Sequence, residues 1–286
     1  MATNPISNAG SPDSPVAIAL AAQEAERPEH VVVSSLDEGV LTLRMNRPKV
    51  LNAMSPALLQ GLLDGISRAK NDAQVRSVLI TGTGQGFCAG ADLNSLSSQT
   101  NQDVEDAMRQ RYHPVILAIR QCGKPVVAAV NGTAAGGGMS LAMACDIVVA
   151  AESASFLQAF GRIGLVPDCG STWFLPRMVG DVRARALMLL AERIPAREAL
   201  EYGLLWKVFA DDQLMPESQA IALMLARSPT LAMQATKQAL VASERNGLAD
   251  QLEMEALLQR QLVKTHDHRE GVAAFLEKRP AVFRGQ

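Results

Sequence analysis

The sequence predicts an α/β fold followed by a helical C-terminal region. Short apolar runs rich in β-branched residues, such as 78–80 and 147–149, predict buried strands, and the stretches between them show helical spacing of apolar residues. Strand, helix and strand in succession favour parallel pairing. From about residue 181 the pattern is almost entirely helical. The predicted division is a polar tail at 1–28, an α/β core at 29–210 and a helical region at 211–286.

The composition is that of an ordinary globular protein and argues against a nucleic-acid-binding or membrane-spanning protein. Of 286 residues, 48% are hydrophobic and 20% charged, and the net charge is −2. No basic excess supports nucleic-acid binding, and no stretch approaches the roughly 20 apolar residues of a membrane span. The four cysteines form no CxxC pair and have no histidine at metal-ligand spacing, so we expect a reducing compartment and no metal. The N-terminus lacks the basic start of a signal peptide, so the expected location is cytoplasmic.

The predicted elements of the first half follow from periodicity and turn residues. Asp37-Glu38-Gly39 separates two strands, and Ser55-Pro56 supplies a helix N-cap with proline at the first helical position. A Gly-rich loop at 82–92 and a polar connection at 94–102 follow the third strand. The predicted elements are strands at 31–33, 40–45 and 76–82, and helices from Pro56 to about Lys70 and over 103–121.

The second half carries another Gly-rich segment and most of the helices. Gly136-Gly137-Gly138 follows a buried strand and opens a helix of small residues. The predicted strands are 124–132, 146–150 and 204–209, and the predicted helices are 139–144, 182–191, 196–202, 216–227, 231–245, 248–265 and 269–276.

The two Gly-rich segments are the first candidates for chemistry. Each follows a strand and precedes a helix, where backbone N–H groups and the helix dipole favour negative charge. Two such N–H groups on one oxygen would form an oxyanion hole. The P-loop pattern GxxxxGK[ST] is absent, and 82–87 fails GxGxxG at its last glycine. The alternative is that these glycines only form tight turns.

Four motifs resemble the crotonase, or enoyl-CoA hydratase/isomerase, superfamily. They cover about residues 30–286, in order and at matching spacing. The motifs are LNAM at 51–54, FCAGADL at 87–93, the run from Lys124-Pro125 through Gly136-Gly137-Gly138 to Cys145-Asp146, and REGVAAFLEKRP at 269–280.

The resemblance implies a spiral of ββα repeats, C-terminal helices that form a homotrimer or a dimer of trimers, and an acyl-CoA thioester substrate. It implies no cofactor, since CoA belongs to the substrate. Carried over by position, the backbone N–H groups of Ala89 and Gly137 are the expected oxyanion donors. The residues expected to contact substrate or CoA are Ala53, Ala91, Asp92, Leu93, Gly138, Phe160 and Lys278.

The carboxylates at the expected catalytic positions distinguish hydration from isomerisation. Hydration needs an acid and a base, and hydratases of this family use two glutamates. This chain has Ser140 and Phe160 at those positions, so the two-glutamate mechanism is not expected. Instead Asp168 follows Pro167, in a pattern similar to the ring-1,2-epoxyphenylacetyl-CoA isomerases of phenylacetate degradation and the Δ3,Δ2-enoyl-CoA isomerases. One carboxylate suffices for a 1,3-proton shift. The expected function is therefore an isomerase with Asp168 as acid and base; the plain alternative is that Asp168 is an ordinary turn residue.

Other interpretations stay open. A hydratase with non-standard acid and base groups is one. Residues 138–142 loosely match the GxSxG elbow, so a serine hydrolase using Ser140 is another. His113 is a possible base, with a plain helix-surface role as its alternative. A non-catalytic RNA-binding homologue is the last, although the near-neutral charge argues against it.

Overall fold

The computed structural model describes residues 27–92 and 101–286. It confirms the α/β class, with two sheets and helices packed around them. The predicted tail at 1–28 falls almost wholly outside the described residues, as does most of the polar connection at 94–102. The strands are β1 (Val32–Asp37), β2 (Val40–Met45), β3 (Ser77–Gly82), β4 (Gly86–Cys88), β5 (Val126–Val130), β6 (Thr133–Ala135), β7 (Ile147–Ala151), β8 (Ser155–Leu157), β9 (Arg193–Pro195) and β10 (Lys207–Phe209).

The larger sheet has six strands in the order β1-β2-β3-β5-β7-β10. The β1–β2 pair is the predicted antiparallel hairpin, and every other pair in this sheet is parallel. Every residue of β3 and β5 is buried, as expected for central parallel strands covered on both faces. The carboxyl ends of β3 and β5 lead into the two Gly-rich segments.

A smaller sheet in the order β4-β6-β8-β9 was not predicted. Its strands have three residues each, which is too short for alternation to be visible in the sequence. Because β4 precedes Ala89 and β6 precedes Gly136, the β4–β6 pairing places the two Gly-rich segments side by side.

Twelve α-helices lie within the described ranges, and most match the predicted ones. They are α1 (Pro28–Val31), α2 (Pro56–Asn71), α3 (Asn101–Ala107), α4 (His113–Gln121), α5 (Gly137–Ala144), α6 (Ser171–Val179), α7 (Asp181–Leu190), α8 (Ala196–Glu201), α9 (Leu214–Ala226), α10 (Thr230–Ser243), α11 (Leu248–Leu262) and α12 (His266–Glu277). A π-helical turn, Met108–Tyr112, joins α3 to α4 inside the predicted 103–121 helix. Helix α6 was not predicted, because Pro176 lies inside it and breaks the helical pattern of its short sequence.

Helix α2 forms for the reasons read from the sequence. The Ser55 side chain accepts a hydrogen bond from the Leu58 N–H at 3.2 Å, and Pro56 occupies the first turn. The buried face includes Leu58, Leu62 and Ile66, each at most 2% exposed. Burial of one such side chain contributes about 1.5–3 kcal/mol, so this face fixes the helix on the sheet.

The C-terminal helices are packed more loosely than the core. Helix α9 lies on the sheet, where Ser77 Oγ donates to Ala222 O at 2.7 Å. Helix α11, in contrast, buries none of its residues within the chain. Large apolar side chains, among them Leu248, Phe275 and Leu276, are exposed there. Among the described residues, no helix combines the length and apolar character that a membrane crossing needs.

Candidate active site

The two Gly-rich segments meet where β4 and β6 end. Gly90 has φ +90°, and a Cβ built on it would lie 2.9 Å from Ala135 O and 3.4 Å from Gly137 N. A Cβ on Gly138 would lie only 2.0 Å from Cys88 O. Backbone therefore packs directly on backbone here, and glycine is required at both positions. This close packing holds the start of α5 against the loop that follows β4.

Two backbone N–H groups remain available at this junction. Gly137 is the first residue of α5, where helical N–H groups lack an intrahelical acceptor and the helix dipole is positive. Within the described ranges, no protein acceptor bonds the N–H of Gly137 or that of Ala91. The neighbouring N–H of Gly136, in contrast, donates to Leu157 O at 2.8 Å.

The prediction that Ala89 supplies an oxyanion donor is wrong. The Ala89 N–H donates to Leu51 O at 2.9 Å, so it is not available to bind a substrate oxygen. Ala91 lies two residues further along the same loop and is held by bonds on either side of it. Met54 N donates to Gly90 O at 2.7 Å, and Asp92 N donates to Met54 O at 3.3 Å. The available donor on this loop is therefore Ala91, which the sequence analysis assigned to CoA contact.

The turn that carries Asp168 packs against the start of α5. Its backbone is unusual, because Cys169 and Gly170 both have positive φ, at 50° and 83°. Cys169 is buried, and its Sγ lies 3.5 Å from where a Gly137 Cβ would be. A non-glycine residue in the left-handed region costs energy and is typical of functional sites. The turn thus brings Cys169, the residue after Asp168, against Gly137, and the Asp168 carbonyl lies 3.2 Å from Ser140 Oγ of the same helix.

The environment of Asp168 favours proton exchange. Its side chain is half-buried, and burial raises the pKa of its carboxyl above the ordinary value. A hydrogen bond from the Cys169 thiol and the charge of His113 oppose this shift. No lysine or arginine within the described residues forms an ion pair with Asp168. A carboxylate without a cationic partner, with its pKa moved toward neutrality, is suited to take up and return a proton.

Ser140 lies inside α5 and cannot serve as an exposed nucleophile. It is fully buried, and its Oγ lies 2.5 Å from Ser171 Oγ and 3.2 Å from Asp168 O. Among the described residues, no histidine hydrogen-bonds it. The arrangement does not provide the serine–histidine contact that a hydrolase needs.

Three of the other predicted residues lie at the junction. Phe160 is buried, and its ring comes within 3.5 Å of a Cβ position on Gly136. Asp92 pairs with Arg47 at 3.0 Å, and Arg47 also donates to Ala53 O at 2.6 Å. This pair braces the loop that carries Ala91.

The remaining predicted residues are less well placed. Leu93 lies outside the described residues. Gly138 is explained by its packing against Cys88, and its contact with substrate stays a prediction. Lys278 is exposed at the end of α12, and no contact in the described part of the chain joins it to the junction. Its contact with CoA phosphates also stays a prediction.

The structure adds two residues that the sequence analysis missed. Met54 Sδ lies 3.5 Å from the Cβ position of Gly137. Tyr112 is buried in the π-helical turn, and its pKa is raised by burial first and then by Cys169 and Asp168. The only available sequence signal was for Met54, inside the LNAM motif; nothing in the sequence pattern points to Tyr112. Groups of three or more side chains suited to hold a metal ion do not occur among the described residues.

Known proteins are similar to this chain over most of its length. A profile of the enoyl-CoA hydratase/isomerase family matches residues 35–286. A probable enoyl-CoA hydratase of Rhodobacter capsulatus is 44% identical over 90% of this chain and 99% of its own length. The 1,2-epoxyphenylacetyl-CoA isomerase of Escherichia coli is 41% identical over 89% of this chain and 98% of its own. The crystal structure of an enoyl-CoA hydratase from Bacillus anthracis superposes with a TM-score of 0.86 at 33% identity, covering 90% of this chain and all of that one.

Proposed function

The chain belongs to the enoyl-CoA hydratase/isomerase family and has its crotonase fold, and from this premise we propose that it is an acyl-CoA isomerase. One observation carries the proposal. Asp168 lies in a turn that packs on the start of α5, where the Gly137 N–H is available, and the neighbouring loop offers the available N–H of Ala91; the other carboxylate at the junction, Asp92, is held by Arg47. This is the set of groups that a proton shift next to a thioester requires.

The proposed reaction moves a double bond from C3–C4 to C2–C3. The thioester oxygen accepts hydrogen bonds from the Ala91 and Gly137 N–H groups. The Asp168 carboxylate removes a proton from C2, and the electron pair of that C–H bond delocalises into a dienolate whose negative charge rests on the thioester oxygen. The protonated Asp168 then returns the proton at C4, which restores the carboxylate. Each N–H group aimed at the developing charge contributes about 2.7–4 kcal/mol, judged from removal of one such donor. CoA enters as part of the substrate.

The groups at the two hydratase positions favour isomerisation over hydration. Ser140 is fully buried with its hydroxyl engaged, and Phe160 offers only a ring. Neither can activate water at neutral pH. The second candidate is a hydratase that uses Asp168 with an unassigned partner, and the similarity to the Rhodobacter capsulatus protein favours it. An aromatic ring-1,2-epoxide thioester is a second isomerase substrate, suggested by the Escherichia coli relative.

We also propose that the chain assembles as a homotrimer or a dimer of trimers. Exposed apolar side chains on α11 and α12 support this, because large apolar surface left exposed on one chain marks sites of association. In such an assembly Lys278 would approach CoA phosphates, within one subunit or across an interface.

The test is to incubate the purified protein with a 3-enoyl-CoA and record the ultraviolet absorbance of the conjugated 2-enoyl thioester. The isomerase proposal expects this absorbance to rise. A parallel reaction with 2-enoyl-CoA in water reports hydration as loss of the same absorbance. Rapid hydration without isomerisation would overturn the proposal in favour of the hydratase, and the ring-epoxide thioester is assayed beside both.

A further inference from the structure

Ser140 and Ser171 form a pair of fully buried hydroxyl groups between the two halves of the site. Their oxygens are 2.5 Å apart. Ser140 Oγ also lies 3.2 Å from Asp168 O and 3.3 Å from Gly136 O. The N–H of Ser171 donates to the same Asp168 carbonyl at 2.9 Å. The proposed reaction assigns these hydroxyls no step.

The direction of these hydrogen bonds follows from counting protons. Each serine hydroxyl has one proton to donate. Among the described residues, Ser171 Oγ has no hydrogen-bond partner besides Ser140 Oγ, so a bond from Ser140 to Ser171 would leave the Ser171 proton buried without an acceptor. Buried donors are rarely left so. Ser171 therefore donates to Ser140, and Ser140 shares its single proton between the carbonyl oxygens of Asp168 and Gly136.

The Gly136 carbonyl has a particular importance. It belongs to the same peptide unit as the Gly137 N–H, and in a trans peptide the two groups point in opposite directions. The Ser140 N–H also donates to Gly136 O, at 3.1 Å. Ser140 therefore fixes the carbonyl side of the peptide unit whose opposite side presents the Gly137 N–H. Through the contact between its Oγ and Asp168 O, Ser140 also fixes the backbone of Asp168.

Resting on the proposed function, we infer that Ser140 and Ser171 form a buried hydroxyl chain that positions the Asp168 carboxylate relative to the Gly137 N–H. Both are positioning residues, since neither touches the reacting atoms. The chain fixes the distance between the group that moves the proton and the group that stabilises the enolate. Small misplacements of such groups lower turnover steeply, whereas ground-state binding of CoA elsewhere is unaffected.

The experiment compares Ser140→Ala, Ser171→Ala and the double variant with a matched control, Ser77→Ala. Ser77 is another fully buried serine whose hydroxyl donates to a carbonyl, Ala222 O, but it begins β3, at the end of that strand opposite to the Gly-rich loop. For Ser140→Ala we expect kcat for isomerisation, per folded site, to fall at least about tenfold with KM within about twofold. Ser171→Ala lowers kcat by a smaller factor, because the Ser140 proton remains shared between both carbonyl oxygens. Ser77→Ala lowers Tm alone.

Thermal stability separately tests which of the two serine hydroxyls donates the hydrogen bond to the other. Ser140→Ala strands the Ser171 proton, so it lowers Tm more than Ser171→Ala does, and adding Ser171→Ala to it restores part of the loss. Equal losses that add in the double variant would overturn the assigned direction. An unchanged kcat in Ser140→Ala, or a change matched by Ser77→Ala, would overturn the positioning role. If Ser140→Ala does not fold, the kcat and KM of Ser171→Ala decide the same question. A wild-type protein without isomerase activity would refute the proposed function, and the order of Tm values would still decide whether the hydroxyl chain exists.

Discussion

Asp168 combines a half-buried carboxylate with the absence, in the described part of the chain, of a cationic partner. Asp168→Asn keeps the size of the side chain and removes its basicity. We expect isomerisation to fall at least about 100-fold, the usual scale for a general acid–base group. The control is Asp211→Asn, which changes an exposed carboxylate that accepts the Ser153 N–H at 3.0 Å. Near-normal turnover in Asp168→Asn would remove this residue from the mechanism.

The same pair of variants should change stability with opposite signs. Burial raises the folded-state pKa of Asp168, so its ionisation costs the folded protein energy at pH values above that pKa. Asp168→Asn should therefore raise Tm at pH 7, and the gain should vanish as pH falls through the raised pKa toward 3.8. The N–H of Ser153 lowers the pKa of Asp211, so its ionised form stabilises the fold above the unfolded pKa. Asp211→Asn should lower Tm at pH 7. Calorimetry of both variants between pH 3 and pH 7 measures these differences, and a loss of Tm in Asp168→Asn at pH 7 would contradict the first.

The turn of Asp168 could be located from the sequence, but which N–H group on the first loop is available could not. Whether the N–H of Ala89 or of Ala91 is available depends on which one bonds Leu51 O, a residue 38 positions earlier than Ala89. A long-range backbone bond leaves no mark in local composition. The same holds for Tyr112, which is placed by a π-helical turn.

At the scale of elements, α5 begins with two glycines whose requirements differ. A Cβ on Gly137 would make ordinary contacts of 3.5 Å with Cys169 and Met54, whereas one on Gly138 would lie 2.0 Å from the Cys88 carbonyl. Gly137→Ala should therefore fold and keep its N–H, while Gly138→Ala should lose stability because backbone must move.

Proline at position 137 provides the comparison that isolates the donor. Gly137→Pro removes the N–H at a first helical position, where proline is tolerated. We expect turnover to fall about 10²–10³-fold relative to Gly137→Ala, with circular dichroism and assembly size unchanged. Equal activities in the folded alanine and proline variants would mean that this N–H does not stabilise the enolate.

The elements themselves were predictable to different degrees. Helix α2 has a cap and a clear helical period, and strands β3 and β5 are apolar runs. All three were predicted from the sequence. The strands of the smaller sheet were not, since three residues cannot show alternation. They form because parallel neighbours complete their hydrogen bonds, which is a property of the assembled sheet. Yet this sheet aligns the two loops, so the site depends on the part of the fold that the sequence shows least.

For the whole molecule, the exposed apolar side chains of α11 and α12 predict self-association. Phe275 is 83% exposed and Leu276 is 73% exposed within one chain. We expect light scattering after size exclusion to give three or six chain masses, and Phe275→Glu to reduce the assembled fraction by charging the apolar surface. Val33→Glu, on the edge strand β1, is the control and should leave the mass unchanged. A monomeric wild-type protein would contradict the prediction.

All four cysteine thiols are buried, so their chemical labelling reports on local opening of the fold. Burial raises the pKa of Cys88 to about 12 and raises those of Cys145 and Cys169 as well. Only the thiolate reacts with an alkylating reagent, so labelling must wait until the chain opens around each sulfur. Iodoacetamide labelling followed by peptide mass mapping would therefore measure three local opening rates in one experiment. Cys88 reports on β4, Cys145 on the end of α5 and Cys169 on the Asp168 turn. An acyl-CoA that binds at the junction should slow labelling at Cys169 more than at Cys122, which lies at the opposite end of β5.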